Sequence, residues 1–281
     1  MQKIVLRFLL ILPFLVTLST AQPVFTKVDY PGATETDANA INRAGVIVGF
    51  YVDSAGVSHA FGLINNKFSS YDVPGSKATL AYGINDHNDI VGWYTDSNFA
   101  VHGFLLTGKI VTNIDPPGSV QTNAWSINDS GEIVGAYLDA ARVHHGFIYS
   151  NGTYTTYDAP RTSSTELTGV DNKGRLVGNY VDPDGDQHGF ALVNEKFFSI
   201  SYPQSTWTAA ERISDQGEVV GYYGPGGLGP FSGYTLVKQA FTTTDFPGAK
   251  DTRIRGVNKG GMIVGRYTDT GGVVHGFVGA P

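Results

Sequence analysis

The chain repeats itself. The pairs Ile41-Asn42, Ile84-Asn85, Ile127-Asn128, Val170-Asp171, Ile213-Ser214 and Val257-Asn258 recur at steps of 43, 43, 43, 43 and 44 residues. Val-Gly pairs ending at Gly49, Gly92, Gly135, Gly178, Gly221 and Gly265 keep those steps. So do Pro31, Pro74, Pro117, Pro160, Pro203 and Pro247. A fixed period of this length marks a repeat architecture in which each unit buries a face against its neighbour.

One unit reads as four short strands. In the second copy, residues 79–85 form strand a, 86–88 a tight turn and 89–95 strand b. Residues 102–107 form strand c, and Gly108-Lys109 turns into strand d, which ends at the Asp-Pro-Pro-Gly of 115–118. Short strands at even spacing with Gly, Asn and Asp turns predict an antiparallel meander, and no helical periodicity competes. A lone four-stranded sheet cannot bury both faces, whereas four to eight such blades packed around an axis can. The predicted fold is all-β: a six-bladed β-propeller of four-stranded antiparallel blades. Residues 25–31 read as a strand d with no preceding c, and 275–278 as a strand c with no following d. Pairing them completes the sixth blade and removes an open edge. A linear array would instead want capping repeats.

The first 21 residues read as a separate object. Lys3 and Arg7 precede an apolar run over 8–18, and Ser19-Thr20-Ala21 is a small-residue cleavage site. That is the pattern of a secretory signal peptide, and the run is shorter than the roughly 20 apolar residues of a membrane span. The expected mature chain is residues 22–281, one propeller domain, secreted or periplasmic. Without Lys3 and Arg7 it carries 17 basic and 25 acidic residues, a net charge of −8. Such a surface repels phosphate backbones and argues against nucleic acid as a partner. With no Cys, stability must come from packing rather than disulfides.

Gly56-Val-Ser-His59-Ala60-Phe61 has copies at His102-Gly103-Phe104, His145-Gly146-Phe147, His188-Gly189-Phe190 and His275-Gly276-Phe277. With Ile-Asn and Val-Gly at fixed offsets, this resembles the HAF-family extracellular repeat proteins of bacteria over residues 25–279. The resemblance implies an exported repeat protein and carries no activity with it. Copy five departs, with Ser232-Gly233-Tyr234. Each His follows an Asp by six residues: Asp53 and His59, Asp96 and His102, Asp139 and His145, Asp182 and His188, Asp269 and His275. A hairpin brings the two together across the b–c loop, so the pair reads as a structural latch. In copy five Gly224 and Ser232 replace both members at once. Asp29, Asp72, Asp115, Asp158 and Asp245, each before a Pro-containing turn, are expected to cap their own backbone. Asp182-Pro-Asp184-Gly-Asp186 is faintly like a calcium loop, but it lacks the distal bidentate Glu and stands in one copy alone, so no metal is expected.

A ligand site belongs where the copies differ. One variable slot, two residues before the Ile or Val of the Ile-Asn pairs, holds Asn39, Tyr82, Trp125, Thr168, Glu211 and Arg255. A second, after Val-Gly, holds Phe50, Trp93, Ala136, Asn179, Tyr222 and Arg266. With strand a innermost, the first set approaches the central channel. Tyr82, Trp125, Glu211, Arg255, Trp93, Tyr222 and Arg266 are candidates to bind a polar ligand with stacking faces, such as a sugar. Trp207, on the d–a loop of copy five, joins them. The competing reading makes these aromatics filler between blades. No Gly-x-Ser-x-Gly elbow, phosphate loop or His-Glu-x-x-His stands in the chain, and Glu166 and Glu211 are single-copy carboxylates near the same end. The leading expectation is a non-catalytic exported scaffold, monomeric and without cofactor, binding a glycan or an extracellular protein. The alternatives are a polysaccharide hydrolase or lyase with acidic residues at the channel mouth, and a purely structural surface protein.

Overall fold

The computed structural model describes residues 23–160, 162 and 164–281, so the expected leader lies outside the described residues. The elements are all β-strands, and those of the second copy lie within about a residue or two of the expected bounds, whereas the first strand ends at Val28 rather than 31. They fall into five sheets rather than six separate ones. Four of these have four strands. The fifth has eight, because the fourth and fifth meanders are joined by a single parallel bridge between Gln187 and Trp207. The last sheet takes its outer strand, Val24–Val28, from the start of the described chain. That strand pairs antiparallel with Val274–Ala280, from Val24 opposite Ala280 to Val28 opposite Gly276. The same sheet packs against the inner strand Glu35–Ile41 of the first meander.

The recurring residues are one packing unit. Phe61, Phe104, Phe147, Phe190, Tyr234 and Phe277 are at most 2% exposed and number among the largest fully buried side chains. Each stabilises its sheet by about 1.5–3 kcal/mol through apolar burial. The glycine of each Val-Gly pair permits this: a Cβ on Gly92 would overlap the carbonyl oxygen of Leu80 on strand a. Gly135 and Gly178 face Asn123 and Glu166 in the same way, with the rings of Phe147 and Phe190 pressed beneath. The Gly after the histidine answers a second close approach, since a Cβ on Gly146 would lie 2.9 Å from the carbonyl of Tyr157 on strand d.

The Ile-Asn pairs tie neighbouring meanders together. Asn42 donates to the carbonyl of Asn85 at 3.2 Å, Asn85 to Asn128 at 3.3 Å and Asn128 to Asp171 at 3.1 Å. Asn258 donates to Asn42 at 3.1 Å, which links the last meander to the first. Copy four breaks the pattern with Asp171, whose carboxylate cannot donate. Arg175 compensates: its guanidinium pairs with Asp171 and delivers a bond to the carbonyl of Ser214 at 3.1 Å.

Every inner strand carries a register shift at the same place, between Ala38 and Ala40, Ala81 and Gly83, Ala124 and Ser126, Leu167 and Gly169, Ala210 and Arg212, Ile254 and Gly256. The bulged residues are Asn39, Tyr82, Trp125, Thr168, Glu211 and Arg255. A bulge re-aims a side chain out of the alternating pattern. Here five of these six side chains turn into a cavity on the axis, and the first variable slot of the sequence is this bulge.

Candidate functional site

The inner strands pack on one another around a central channel, and Arg212 divides it. Its guanidinium donates to the carbonyls of Thr168 and Tyr82, to Trp125 at 2.6 Å and to Glu211 at 2.9 Å. These oxygens belong to four different meanders. Burial lowers the Arg212 pKa to about 10. On one side of this plug lies a shallow mouth ringed by the a–b turns, including Arg43, Asp86, Asp129, Asn172, Asp215 and Lys259. On the other lies a cavity of about 270 Å³.

That cavity is lined by Tyr82, Trp125, Glu166, Thr168, Asn179, Gln187, Trp207, Glu211, Arg212, Tyr222 and Arg255. Six of the eight sequence candidates are among them. Trp93 and Arg266 are not. Trp93 lies behind the wall, near-parallel to Tyr82 at 6.4 Å, and Arg266 is turned to Asp37 at 3.3 Å. Asn39 also stays out, donating to the carbonyl of Ala81 at 2.9 Å. Trp207 opens an inner strand, Trp207–Ile213, rather than sitting in a loop as expected.

The walls are aromatic. Tyr82 and Trp125 meet edge to face with centroids 4.5 Å apart. Arg255 lies 5.3 Å over the Tyr222 ring and donates to Glu211 at 3.1 Å. Burial works against the Arg255 charge, but Glu211, Tyr222, Asp37 and Tyr82 together outweigh it and hold the Arg255 pKa above its ordinary value. Burial raises the hydroxyls of Tyr82 and Tyr222, so both stay neutral. Glu166 stands apart. Burial, helped by the Glu211 charge and opposed by Arg255, pushes its carboxyl up to about 7.

The sequence reading missed Arg212 and Gln187 and left Glu166 outside the site. One signal was available for Arg212: the slot after the bulge holds Ala40, Gly83, Ser126, Gly169 and Gly256 elsewhere. Five small residues and one arginine mark a place where a side chain crosses the axis.

All five expected Asp–His pairs lie within 4 Å, and the histidine motif adds a second partner to each. His59, His102 and His145 place Nδ1 2.8 Å from Asp72, Asp115 and Asp158 of strand d, and His275 lies 3.0 Å from Asp29. Those aspartates therefore serve the histidine rather than only capping their own turns. The expected partners are farther from Nε2: Asp53 at 3.4 Å, Asp96 at 3.8 Å, Asp139 at 3.5 Å and Asp269 at 3.3 Å. Their other task is the loop itself, since Asp53 accepts from the backbone N–H of Ala55 and Val57 at 2.8 and 2.9 Å. Copy four has Ser201 in place of the strand-d carboxylate, and there Asp182 closes to 3.0 Å on His188. Asp182 also accepts from the N–H groups of Asp184 and Asp186, so the calcium-like segment folds on itself. Among the described residues no group of three or more His, Asp or Glu side chains is arranged to hold a metal ion.

No protein-family model matches the sequence, and no curated protein is similar to it. Solved structures are. A fungal lectin from Aleuria aurantia, described as a six-bladed β-propeller with a novel fucose recognition mode, is 12% identical with a TM-score of 0.54, over 90% of this chain and 93% of its own. AofleA from Arthrobotrys oligospora is 11% identical with a TM-score of 0.52, over 92% and 83%. The β-propeller domain of the trilobed protease from Pyrococcus furiosus, described as having an open velcro topology, is 7% identical with a TM-score of 0.55, over 89% and 94%. The fold is a β-propeller. At these identities the propeller's likeness to its neighbours reaches no further than the fold. Among the described residues no helix of this propeller is long and apolar enough to cross a membrane.

Proposed function

We propose that this chain is an exported, carbohydrate-binding β-propeller of six blades closed by its first and last strands, and that its ligand enters the cavity above Arg212. The observation that carries the reading is the cavity itself. Tyr82, Trp125, Trp207 and Tyr222 offer ring faces on which a pyranose stacks, and Thr168, Asn179, Gln187 and Glu166 offer hydrogen bonds around them. β-Strands hold all of these groups, which keeps the ordering entropy of binding small. The propeller fold shared with a fucose-recognising lectin supports the same class. The HAF-like repeat and the leader-like start support export.

A labelled chain of residues 22–281 on a glycan array tests this directly. Binding to a defined set of glycans, lost in Trp125→Ala, is the expected result. An array without signal overturns the reading.

One observation favours a hydrolase or lyase instead: Glu166 and Glu211 share the cavity, and the first has the raised pKa of a general acid. Glu211, however, is committed to Arg255 at 3.1 Å, which leaves a single free carboxyl where the chemistry needs two. Binding ranks first on that ground. Reducing-end release from an array-positive glycan, abolished in Glu166→Gln, would reverse the order.

A further inference from the structure

The cavity is lined by two arginines and two glutamates, and these are not all paired with one another. Arg212 is satisfied by four backbone carbonyls. Arg255 donates one bond to Glu211 at 3.1 Å. Glu166 remains, and among the described residues it has neither a hydrogen-bond partner nor an ion pair. Among the described residues no lysine or histidine lines the cavity. The unpaired acidic group of the cavity is therefore Glu166.

Its surroundings have a second property. The indole nitrogens of Trp125 and Trp207 are buried out of contact with the cavity, so these walls meet a ligand as ring carbon. Ring faces attract cations, and a desolvated site strengthens that attraction to about 2 kcal/mol or more. Arg255 already uses the Tyr222 ring in this way.

We propose that the ligand presents a basic nitrogen to this cavity and that Glu166 is the residue that selects it. The inference rests on the carbohydrate reading and narrows it to sugars carrying a free amino group. A neutral sugar leaves the carboxylate of Glu166 uncompensated. An acidic sugar adds repulsion to it. A protonated amine closes the pair and faces the aromatic walls at once. With about 270 Å³ available, below the roughly 300–1,000 Å³ of sites for drug-sized ligands, the cavity suits one ring rather than a buried chain.

The test compares two oligomers that differ only at that nitrogen, the glucosamine tetramer and the N-acetylglucosamine tetramer, titrated at pH 7 with tryptophan emission and calorimetry as readouts. The expected result is at least tenfold tighter binding of the glucosamine tetramer, with that preference lost in Glu166→Gln. Circular dichroism and thermal unfolding confirm that the variant is folded. Equal affinities in the wild-type protein, a preference that survives Glu166→Gln, or no response to either tetramer each overturn the proposal. Tighter binding of the N-acetylated tetramer overturns it too, yet leaves the carbohydrate reading standing. A silent glycan array removes the carbohydrate reading itself.

Discussion

Glu166→Gln also tests the electrostatics without any ligand. In the folded protein burial raises the Glu166 carboxyl from 4.5 to about 7. The sign follows from proton linkage. Below about pH 4.5 the group is protonated in both the folded and unfolded chains and costs nothing. As pH rises the unfolded chain ionises first, so stability falls until the folded carboxyl ionises near pH 7. At 1.36 kcal/mol per pH unit, the loss above pH 7 is about 3 kcal/mol. The groups acting on Glu166 are Glu211, which adds to the loss, and Arg255, which reduces it. Glutamine mimics the protonated acid in shape and cannot ionise. The variant is therefore expected to match the wild-type protein at pH 4 and to be about 3 kcal/mol more stable at pH 8.5. For a domain of this size that is a gain on the order of 6 °C in Tm. Scanning calorimetry of both proteins from pH 4 to 9 reads it. A difference in Tm that does not widen between pH 5 and 7 would refute the assignment of an unpaired carboxyl.

Three further outcomes are expected. Arg212→Met keeps the bulk of the plug but withdraws every donor from four carbonyls. Allowing for non-additivity and for water serving part of them, the loss is about 3 kcal/mol, read by denaturant unfolding, and an unchanged midpoint would mean that the guanidinium bonds contribute nothing. Gly92→Ala places a methyl group on the carbonyl oxygen of Leu80; the backbone must part, and a cost of about 3 kcal/mol or loss of soluble protein is expected, whereas Gly118→Ala in an open turn stays soluble. At His59 burial works to lower the pKa, but the bonds to Asp72 and Asp53 outweigh it and the net shift is upward from 6.5. Stability from this histidine is thus present below about pH 6.5 and fades as pH rises through the folded value, so His59→Ala is expected to lower Tm more at pH 5 than at pH 8.5, by no more than about 1 kcal/mol for groups this exposed.

Periodicity made the meanders legible, because a two-residue alternation and a glycine at a fixed offset are properties of the chain itself. Gly92 illustrates it: its overlap with Leu80 recurs at five other positions, so the same residue recurs in the sequence. Other features needed three dimensions. Three strand-d aspartates follow their histidines by thirteen residues, as Asp115 follows His102, and Asp29 lies 246 residues before His275; separations that long say nothing until the strands are paired. Asp53 looked like the principal partner because six residues across one turn is easy to read. Its Oδ1 was already taken by the loop N–H groups of Ala55 and Val57. The variable slot was visible as a column of unlike residues, but its meaning came from the bulge, which turns those side chains out of the alternating pattern. The bridge joining two meanders at Gln187 and Trp207 left no trace in the repeat.

The departures from the repeat are not scattered. Asp171 and Glu166 stand in copy four. Arg212, Ser214, Trp207 and the Gly-rich loop over 224–230 stand in copy five. These two copies form the merged sheet, and they supply Glu166, Thr168, Asn179, Gln187, Trp207, Glu211, Arg212 and Tyr222 to the cavity. Copy five lost its Asp and His together, which a paired hydrogen bond alone would explain. The structure adds a stronger cause. Trp207 lies against the rebuilt loop so closely that a Cβ on Gly227 would come within 2.9 Å of its ring. The b–c loop of copy five is shaped to let that indole lie at the cavity wall, and the ordinary loop with its capping aspartate had to give way. The repeat is kept where strands only pair and pack, and it is broken where one pocket needs the carboxyl of Glu166, the plug of Arg212 and the ring of Trp207 beside the Tyr82 and Trp125 that copies two and three supply.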